Sequence, residues 1–261
     1  MTTTLYYFTG TGNSLKIAKD LRDELEDCEL KSIIKVMEND KIIETSDKIG
    51  FVFPLHYYGL PKVVYDFAEE IILDESEYLF AVVTKAGEWK GVPLILLEKI
   101  LRAKSKSLDA GFFVNMPNNY ILDMDSHSEK EQKELFEKAT RQVKDTAKAI
   151  KENMKNIDLD LTKKNRLEKV NLTFHKGVHD SDKSFYVEET CNSCDICKKV
   201  CPVDNIVIVD GKPQWQHKCL QCLACLNYCP ENAIQFGNKT LGRARYHHPE
   251  ITIKDLELQK Q

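Results

Sequence analysis

The cysteines constrain this chain more than any other feature. Eight of the nine cysteines fall between Cys191 and Cys229, although the chain has 261 residues. They form two runs with one spacing, CNSCDICKKVCP and CLQCLACLNYCP, and the second run begins 28 positions after the first (from 191 to 219). Ile206 recurs as Ile234 at the same offset. This repeat predicts two similar half-units, packed about a pseudo-twofold axis, in a domain over residues 186–240.

Crowded cysteines in a chain without a secretion signal indicate metal binding more often than disulfides. The amino terminus, MTTTLYYF, lacks the cationic and apolar regions of a signal peptide. No apolar run approaches the roughly 18 residues of a membrane helix. We therefore expect a soluble, cytoplasmic protein. A net charge of −4 without a basic stripe argues against a nucleic-acid partner.

The spacing of the two runs also bears on which metal they bind. Structural zinc usually takes paired C-x₂-C units separated by a longer gap, and two triplets that each end in Cys-Pro do not suit it. The runs resemble those of bacterial ferredoxins that bind two 4Fe–4S clusters, in which the fourth cysteine of each run ligates the other cluster. That resemblance implies one cluster on Cys191, Cys194, Cys197 and Cys229, and a second on Cys219, Cys222, Cys225 and Cys201. The ninth cysteine, Cys28, is expected to have no role.

Residues 1–155 alternate strand-like and helix-like segments, which is typical of βαβ units and a parallel sheet. Predicted strands cover 4–8, 30–36, 48–53, 78–83 and 110–115. Predicted helices cover 14–26, 61–72, 93–104 and 128–154. Residues 156–185 are polar and weakly periodic, so we interpret them as a connector that partly packs on the first domain. Residues 241–261 form a tail.

The first strand runs into a turn rich in glycine and hydroxyl groups, FTGTGNS. It is not a nucleoside-triphosphate loop, because Gly12 is followed by asparagine and not by lysine. It is not a dinucleotide fingerprint, because Leu15 stands where the third glycine belongs. Hydroxyls and free N–H groups at a helix start can surround one phosphate. The predicted phosphate-binding residues are Thr9, Gly10, Thr11, Gly12, Asn13 and Ser14. The alternative is a plain turn capped by a serine or asparagine side chain.

This turn resembles the phosphate loop of flavodoxins, T/S-x-T-G-x-T/S, which binds FMN. The resemblance implies a flavodoxin-like, doubly wound α/β sheet of five parallel strands in the order 2-1-3-4-5, with FMN at the carboxyl ends of the strands. It also implies that the loops at 54–62, 84–91 and 116–120 border the flavin. The residues predicted there are Pro54, Leu55, His56, Tyr57, Tyr58, Gly59, Thr84, Lys85, Ala86, Gly87, Trp89 and Asn119. Which aromatic ring stacks on the flavin stays open, and packing at a domain interface is the alternative for each.

As a whole, the chain is similar to a flavodoxin domain fused to an α+β two-cluster ferredoxin domain, as in the "ferrodoxin" family of anaerobes. That resemblance implies electron transfer between the clusters and FMN and on to an external redox protein or small-molecule acceptor. The alternatives are an FMN-dependent reductase of a quinone or flavin, and a redox-sensing interaction module. No catalytic nucleophile is evident. In the tail, Arg243, Arg245, Tyr246, His247 and His248 either dock on the first domain or form a solvated segment, and we favour the solvated segment.

Overall fold

A computed structural model describes residues 1–157, 159, 161 and 166–261. Its first half holds a parallel sheet of five strands in the order β2-β1-β3-β4-β5, so the predicted fold class and strand order are confirmed. The strands of this sheet are β1 (Thr3–Tyr7), β2 (Cys28–Ser32), β3 (Lys48–Pro54), β4 (Tyr78–Lys85) and β5 (Ala110–Asn115).

Helices cover both faces of this sheet. They are α1 (Asn13–Glu24), α2 (Ile33–Val36), α3 (Lys62–Glu70), α4 (Pro93–Ala103) and α5 (Glu129–Lys151). Apolar side chains alternate along β1, β3 and β4 between two cores: Tyr6 packs in the core that includes α3 and α4, and Leu5 packs in the core of α1 and α5. Burial on both faces explains why these strands read as nearly continuous apolar runs.

The predicted second strand ends earlier than its apolar pattern suggested. The pattern extended it over 30–36, whereas β2 ends at Ser32 and the helical turn α2 follows. The Ser32 hydroxyl caps this turn by accepting a hydrogen bond from the backbone N–H of Lys35. Ile33 and Ile34 are buried side chains of a helix and not of a strand. A short apolar segment does not distinguish between these two structures.

The second half of the chain begins with a helix that was not predicted. Its elements are α6 (Arg166–Gly177), a 3₁₀ helix (Val178–Ser184), β6 (Phe185–Val187), α7 (Ile196–Lys199), β7 (Ile206–Val209), β8 (Lys212–Trp215), α8 (Ala224–Asn227), β9 (Ile234–Phe236) and α9 (Ile253–Leu258). Strand β6 pairs with β9, and β7 pairs with β8, both antiparallel. Residues 166–185 of the predicted connector thus form regular secondary structure.

The 28-residue repeat is present in the backbone as well as in the cysteines. Among the non-glycine residues with positive φ angles, three pairs are 28 positions apart: Ser193 (60°) and Gln221 (50°), Asp195 (61°) and Leu223 (60°), and Asp204 (47°) and Asn232 (51°). Left-handed backbone is uncommon for such residues. Its recurrence at matched positions shows that both runs adopt one local conformation.

The cysteine-rich half shares its core with the sheet. Leu220 packs in the core beside α3 and α4, whereas Ala224 and Tyr228 pack in the core beside α1 and α5. The two halves of the chain are therefore held together by buried apolar contacts. Within the described residues, no helix has both the length and the apolarity that crossing a bilayer requires.

Glu44 is a buried carboxylate in the segment that leads into the amino end of β3, opposite the strand ends that carry the candidate site. Its Oε2 accepts hydrogen bonds from the Tyr6 hydroxyl at 2.5 Å and from Lys31 Nζ at 3.0 Å. Burial acts to raise the pKa of Glu44, but hydrogen bonds from Tyr6, Lys31 and Ser46 outweigh it and lower this pKa to about 2. Ionised Glu44 therefore stabilises the folded state.

We expect Glu44→Gln to lower the free energy of unfolding by about 2–3 kcal/mol at pH 7. Because the folded-state pKa lies below the ordinary value, this contribution is complete above pH 4.5 and disappears as the pH falls towards 2. Urea unfolding at pH 7 and at pH 2 measures the change in the free energy of unfolding, with Glu137→Gln at an exposed position as the control. An equal loss at pH 7 and pH 2 would contradict this account.

Candidate functional site

A cavity with an empty volume of about 1780 Å³ opens at the carboxyl ends of β1, β3 and β4. Fifteen of the eighteen predicted flavin-site residues line it: Thr9, Gly10, Asn13, Ser14, Pro54, Leu55, His56, Tyr57, Tyr58, Thr84, Lys85, Ala86, Gly87, Trp89 and Asn119. Thr11, Gly12 and Gly59 do not line it. The second cysteine run closes one side with Gln221, Cys222 and Leu223. This edge is where ligands bind in open α/β sheets.

The turn after β1 leaves backbone donors free at the start of α1. Gly12 is the N-cap residue and no side chain caps the helix, so the alternative of a serine or asparagine cap is wrong. Within the described residues, the N–H groups of Asn13 and Ser14 have no hydrogen-bond acceptor. The Ser14 hydroxyl lies 2.7 Å from the Thr84 hydroxyl, at the same end of the cavity. Free N–H groups at a helix start form an anion site.

Thr11 and Gly12 do not line the cavity, and both contact the carboxyl-terminal tail. Thr11 Oγ1 accepts a hydrogen bond from Asn119 Nδ2 at 2.7 Å, and the Thr11 carbonyl accepts one from the His248 N–H at 2.8 Å. A Cβ atom on Gly12 would lie 2.8 Å from Cβ of Ile251, and its φ is +98°. Glycine is needed at position 12 for this backbone angle and for the packing of the tail, which the sequence did not indicate.

The loop after β3 turns through two tyrosines with left-handed backbone. His56 and Gly59 exchange backbone hydrogen bonds at 3.0 Å around Tyr57 (φ 45°) and Tyr58 (φ 68°). Such a two-residue turn normally contains asparagine or glycine. Asn171 of α6 supports it by donating to the carbonyls of His56 at 3.0 Å and Tyr57 at 3.2 Å. Strained backbone of this kind concentrates at functional sites.

The aromatic side chains of this turn lie at the mouth of the cavity. Tyr57 stacks on Phe174 of α6 with ring centroids 4.2 Å apart, and Tyr58 meets Trp89 edge-on at 5.2 Å. Tyr57 and Tyr58 are each 41% exposed and Trp89 is 57% exposed. These rings keep free surface towards the opening, so a planar ligand could contact them.

Two buried polar atoms in the cavity wall have no partner among the described residues. They are Nδ1 of His56 and Oε1 of Gln221. His56 Nε2 lies 3.3 Å from the carbonyl oxygen of Gln221, which joins the loop after β3 to the second cysteine run. Burial lowers the pKa of His56 to about 4, so its ring is neutral at pH 7. Buried polar atoms are rarely left unpaired, and a polar ligand in the cavity would satisfy these two.

The loop after β4 is held by a lysine. Lys85 Nζ donates to the Gly87 carbonyl and, at 2.7 Å, to Oδ1 of Asn115. Gly87 has a φ of +67°, and no atom lies within 4 Å of the position that a Cβ would take. Glycine favours this left-handed turn and leaves room beside it.

The cysteines fall into two groups that combine the runs. Cys229 of the second run joins Cys191, Cys194 and Cys197 around a separate cavity with an empty volume of about 350 Å³. Burial raises the pKa of the Cys197 thiol to about 12, and the proximity of Cys229 adds to it. In this group Cys194 is exposed to solvent.

The second group lies deeper, against the sheet. Cys201, Cys219 and Cys225 are buried. Burial and then the proximity of Cys201 raise the pKa of the Cys222 thiol. Backbone N–H groups already point at these sulfurs, from Asn205 to Cys201 Sγ and from Gln221 to Cys219 Sγ, each at 3.2 Å.

No three His, Cys, Asp or Glu side chains in the described part of the chain are close enough together to hold one metal ion. The ninth cysteine, Cys28, lies at the start of β2, outside both groups. Burial raises the pKa of its thiol to about 11.

The two halves of the site touch at Gly10. A Cβ atom on Gly10 would lie 2.4 Å from the carbonyl oxygen of Cys222, too close for any side chain. The turn after β1 and the second cysteine run are therefore in direct backbone contact.

Several residues of the site were not predicted. Asn171 and His175 of α6 bind the carbonyl of Leu60 and are buried. The solvated interpretation of the tail is wrong, because Tyr246 and His248 are 3% and 1% exposed. The one sequence feature that could have indicated burial of these segments is the presence of isolated aromatic and histidine residues among polar ones.

The chain was compared with known proteins. Residues 4–105 match the family model described as a flavodoxin domain. No curated protein matches. Among solved structures, rubredoxin oxygen:oxidoreductase of the anaerobe Desulfovibrio gigas is 13% identical with a TM-score of 0.35, and the match covers 58% of this chain but only 36% of that one. A candidate flavoprotein from Bacteroides uniformis is 16% identical with a TM-score of 0.33, covering 52% of this chain and 98% of that one. Residues 4–105 are thus similar to a flavodoxin domain, and the cysteine runs lie outside the matched region.

Proposed function

We propose that this chain is an electron-transfer protein that binds FMN in the large cavity and two 4Fe–4S clusters on its eight clustered cysteines. The observation that carries the proposal is the backbone contact between Gly10 and Cys222. It joins the predicted phosphate loop to a predicted cluster loop in one cavity wall. When bound, FMN exchanges one or two electrons, and a cubane cluster exchanges one.

The cavity residues fit FMN in three respects. Asn13 and Ser14 offer free N–H groups at a helix start for the phosphate. Tyr58 and Trp89 offer aromatic surface for a planar ring system. His56 Nδ1 is a buried polar atom in need of a partner. A phosphate, a flat ring and polar ring edges are the chemical features of FMN.

The cysteines fit cubane clusters better than they fit zinc. Zinc needs four sulfurs at about 2.3 Å from one ion, and no three ligating side chains in the described residues are so arranged. A cubane is larger than a single ion and holds its thiolates farther apart. The grouping of Cys229 with the first run and of Cys201 with the second supports the crossed ligation that the ferredoxin resemblance implies.

The unequal exposure of the two groups supports different roles for them. Cys194 of the first group is at the surface, whereas Cys222 borders the flavin cavity. We infer that the first group serves the external redox partner and the second group serves the flavin. A protein partner would then dock over residues 192–195, which are exposed.

A second candidate function is reduction of a small planar acceptor, such as a quinone or a free flavin. The observation that favours it is the strained turn that holds Tyr57 and Tyr58 half-exposed at the cavity mouth. These rings could hold an acceptor as well as the flavin itself.

The first test is cofactor content and internal electron transfer. Anaerobic reconstitution should give one FMN and about eight iron atoms per chain. After rapid mixing with a one-electron donor, the rate of flavin reduction through the clusters should not depend on protein concentration, because the cofactors share one chain. Absorbance at separate flavin and cluster wavelengths measures it. A preparation that binds no flavin or no iron, or a rate proportional to protein concentration, would refute the proposal.

The matched variants Cys201→Ser and Cys229→Ser test the assignment of the two groups. Each removes the fourth cysteine of one run, so each should remove about half of the iron. Cys201→Ser should abolish rapid flavin reduction through the clusters, because the remaining cluster is the distant one. Cys229→Ser should preserve transfer between the remaining cluster and the flavin while slowing reduction by a protein donor. The reverse pattern would contradict crossed ligation.

The variant Tyr58→Ala tests the second candidate. If the ring of Tyr58 holds an acceptor, this variant should raise KM for quinones several-fold even when the chain is saturated with FMN, whereas a role in FMN binding alone would raise only the Kd of FMN. Steady-state turnover with a low-potential donor and a panel of quinones measures KM. If the parent protein shows no turnover with any acceptor, the reductase function is excluded and electron transfer alone remains.

A further inference from the structure

We propose that the carboxyl-terminal strap, residues 246–259, is part of the phosphate site: it fixes the backbone of residues 9–13 so that the free N–H groups of α1 face the FMN phosphate. This inference rests on the proposed binding of FMN. None of its residues was predicted to bind a cofactor, and the strap is 233 residues distant in sequence from Asn13, which it contacts through Tyr246.

Gln259 binds the backbone of Thr9, just beyond the end of β1, as a neighbouring strand would. Its side chain is 0% exposed, its Oε1 accepts the Thr9 N–H at 2.9 Å, and its Nε2 donates to the Thr9 carbonyl at 3.2 Å. Both backbone groups of Thr9 are thereby satisfied, as buried backbone requires. With Thr9 fixed, its hydroxyl accepts the Gly12 N–H at 3.1 Å and closes the turn.

Tyr246 and His248 hold the other side of the turn. The Tyr246 hydroxyl donates to Oδ1 of Asn13 at 2.7 Å, while Nδ2 of Asn13 donates to the Pro117 carbonyl at 3.0 Å. Both ends of the Asn13 side chain are thus occupied, so it cannot fold back to cap the helix. The His248 N–H holds the Thr11 carbonyl. The strap therefore keeps the helix start uncapped and open to an anion.

The strap is anchored in turn on the second cysteine run. The Tyr246 N–H donates to Oδ1 of Asn227 at 3.0 Å, and the Tyr228 hydroxyl donates to the Ile251 carbonyl at 3.2 Å. His247 stacks on Tyr228 at 4.2 Å. Phosphate affinity should therefore depend on a folded second run, although neither Asn227 nor Tyr228 lines the cavity.

The test compares two flavins in the anaerobically reconstituted chain. Riboflavin has the ring system of FMN without its phosphate, so a defect in the phosphate turn should weaken FMN alone. Gln259→Leu removes two hydrogen bonds, and we expect it to raise the Kd of FMN about tenfold or more while that of riboflavin changes less than about twofold. Tyr246→Phe removes one hydrogen bond and should raise the Kd of FMN about threefold to tenfold. Quenching of flavin fluorescence measures both constants.

The control is Lys254→Ala, at an exposed position of α9 within the same strap, which should change neither constant. Equal weakening of FMN and riboflavin would mean general damage to the cavity and would overturn the inference, as would unchanged binding of both flavins in both variants. Tyr246→Phe keeps the ring and its packing, so it remains informative if Gln259→Leu does not fold. If the unmutated chain binds neither FMN nor riboflavin, the proposed function itself fails. This outcome differs from a failure of the inference, because it is seen before any variant is tested.

Discussion

The contact between Gly10 and Cys222 is the constraint on which the rest of the site depends. It brings the turn after β1 against the backbone of a cysteine run at a distance that excludes any side chain on Gly10. Apolar residues of the same run, Leu220 and Ala224, are built into the two cores of the sheet. The cysteine-rich half therefore packs directly on the flavodoxin-like half. It forms one wall of the cavity at the strand ends.

Polar side chains from distant parts of the chain position the loops of this cavity. The carboxyl end of a parallel sheet leaves backbone groups unpaired where the strands stop, and these groups need partners when they are buried. Asn171 supplies donors to the turn after β3, and Gln259 supplies a donor and an acceptor to the turn after β1. Both side chains are fully buried. Each holds a loop in a shape that the loop's own sequence does not determine.

This division explains what the sequence could and could not predict. The parallel sheet followed from apolar runs that alternate with helical periods. Its strand order followed from the resemblance of the turn after β1 to the flavodoxin phosphate loop, and the two cysteine groups followed from the resemblance to ferredoxin runs. The roles of Asn171 and Gln259 could not be predicted. A single amide side chain that binds backbone groups leaves no periodic signal in a polar segment. The same holds for Gly12, which was predicted to bind the phosphate: a Cβ atom on it would meet Ile251 of the strap. Contacts between remote segments set these roles.

The repeat places one local structure in two different surroundings. Matched left-handed residues, such as Asp195 and Leu223, give both runs the same backbone conformation. Their surroundings differ: Asp195 is exposed beside the exposed Cys194, whereas Leu223 is buried in the wall of the cavity. Burial, exposure and hydrogen bonds to sulfur tune the potential of an iron–sulfur cluster. If the two cysteine groups hold clusters as proposed, these unequal surroundings give the two clusters different potentials, which favours transfer in one direction between the surface and the cavity.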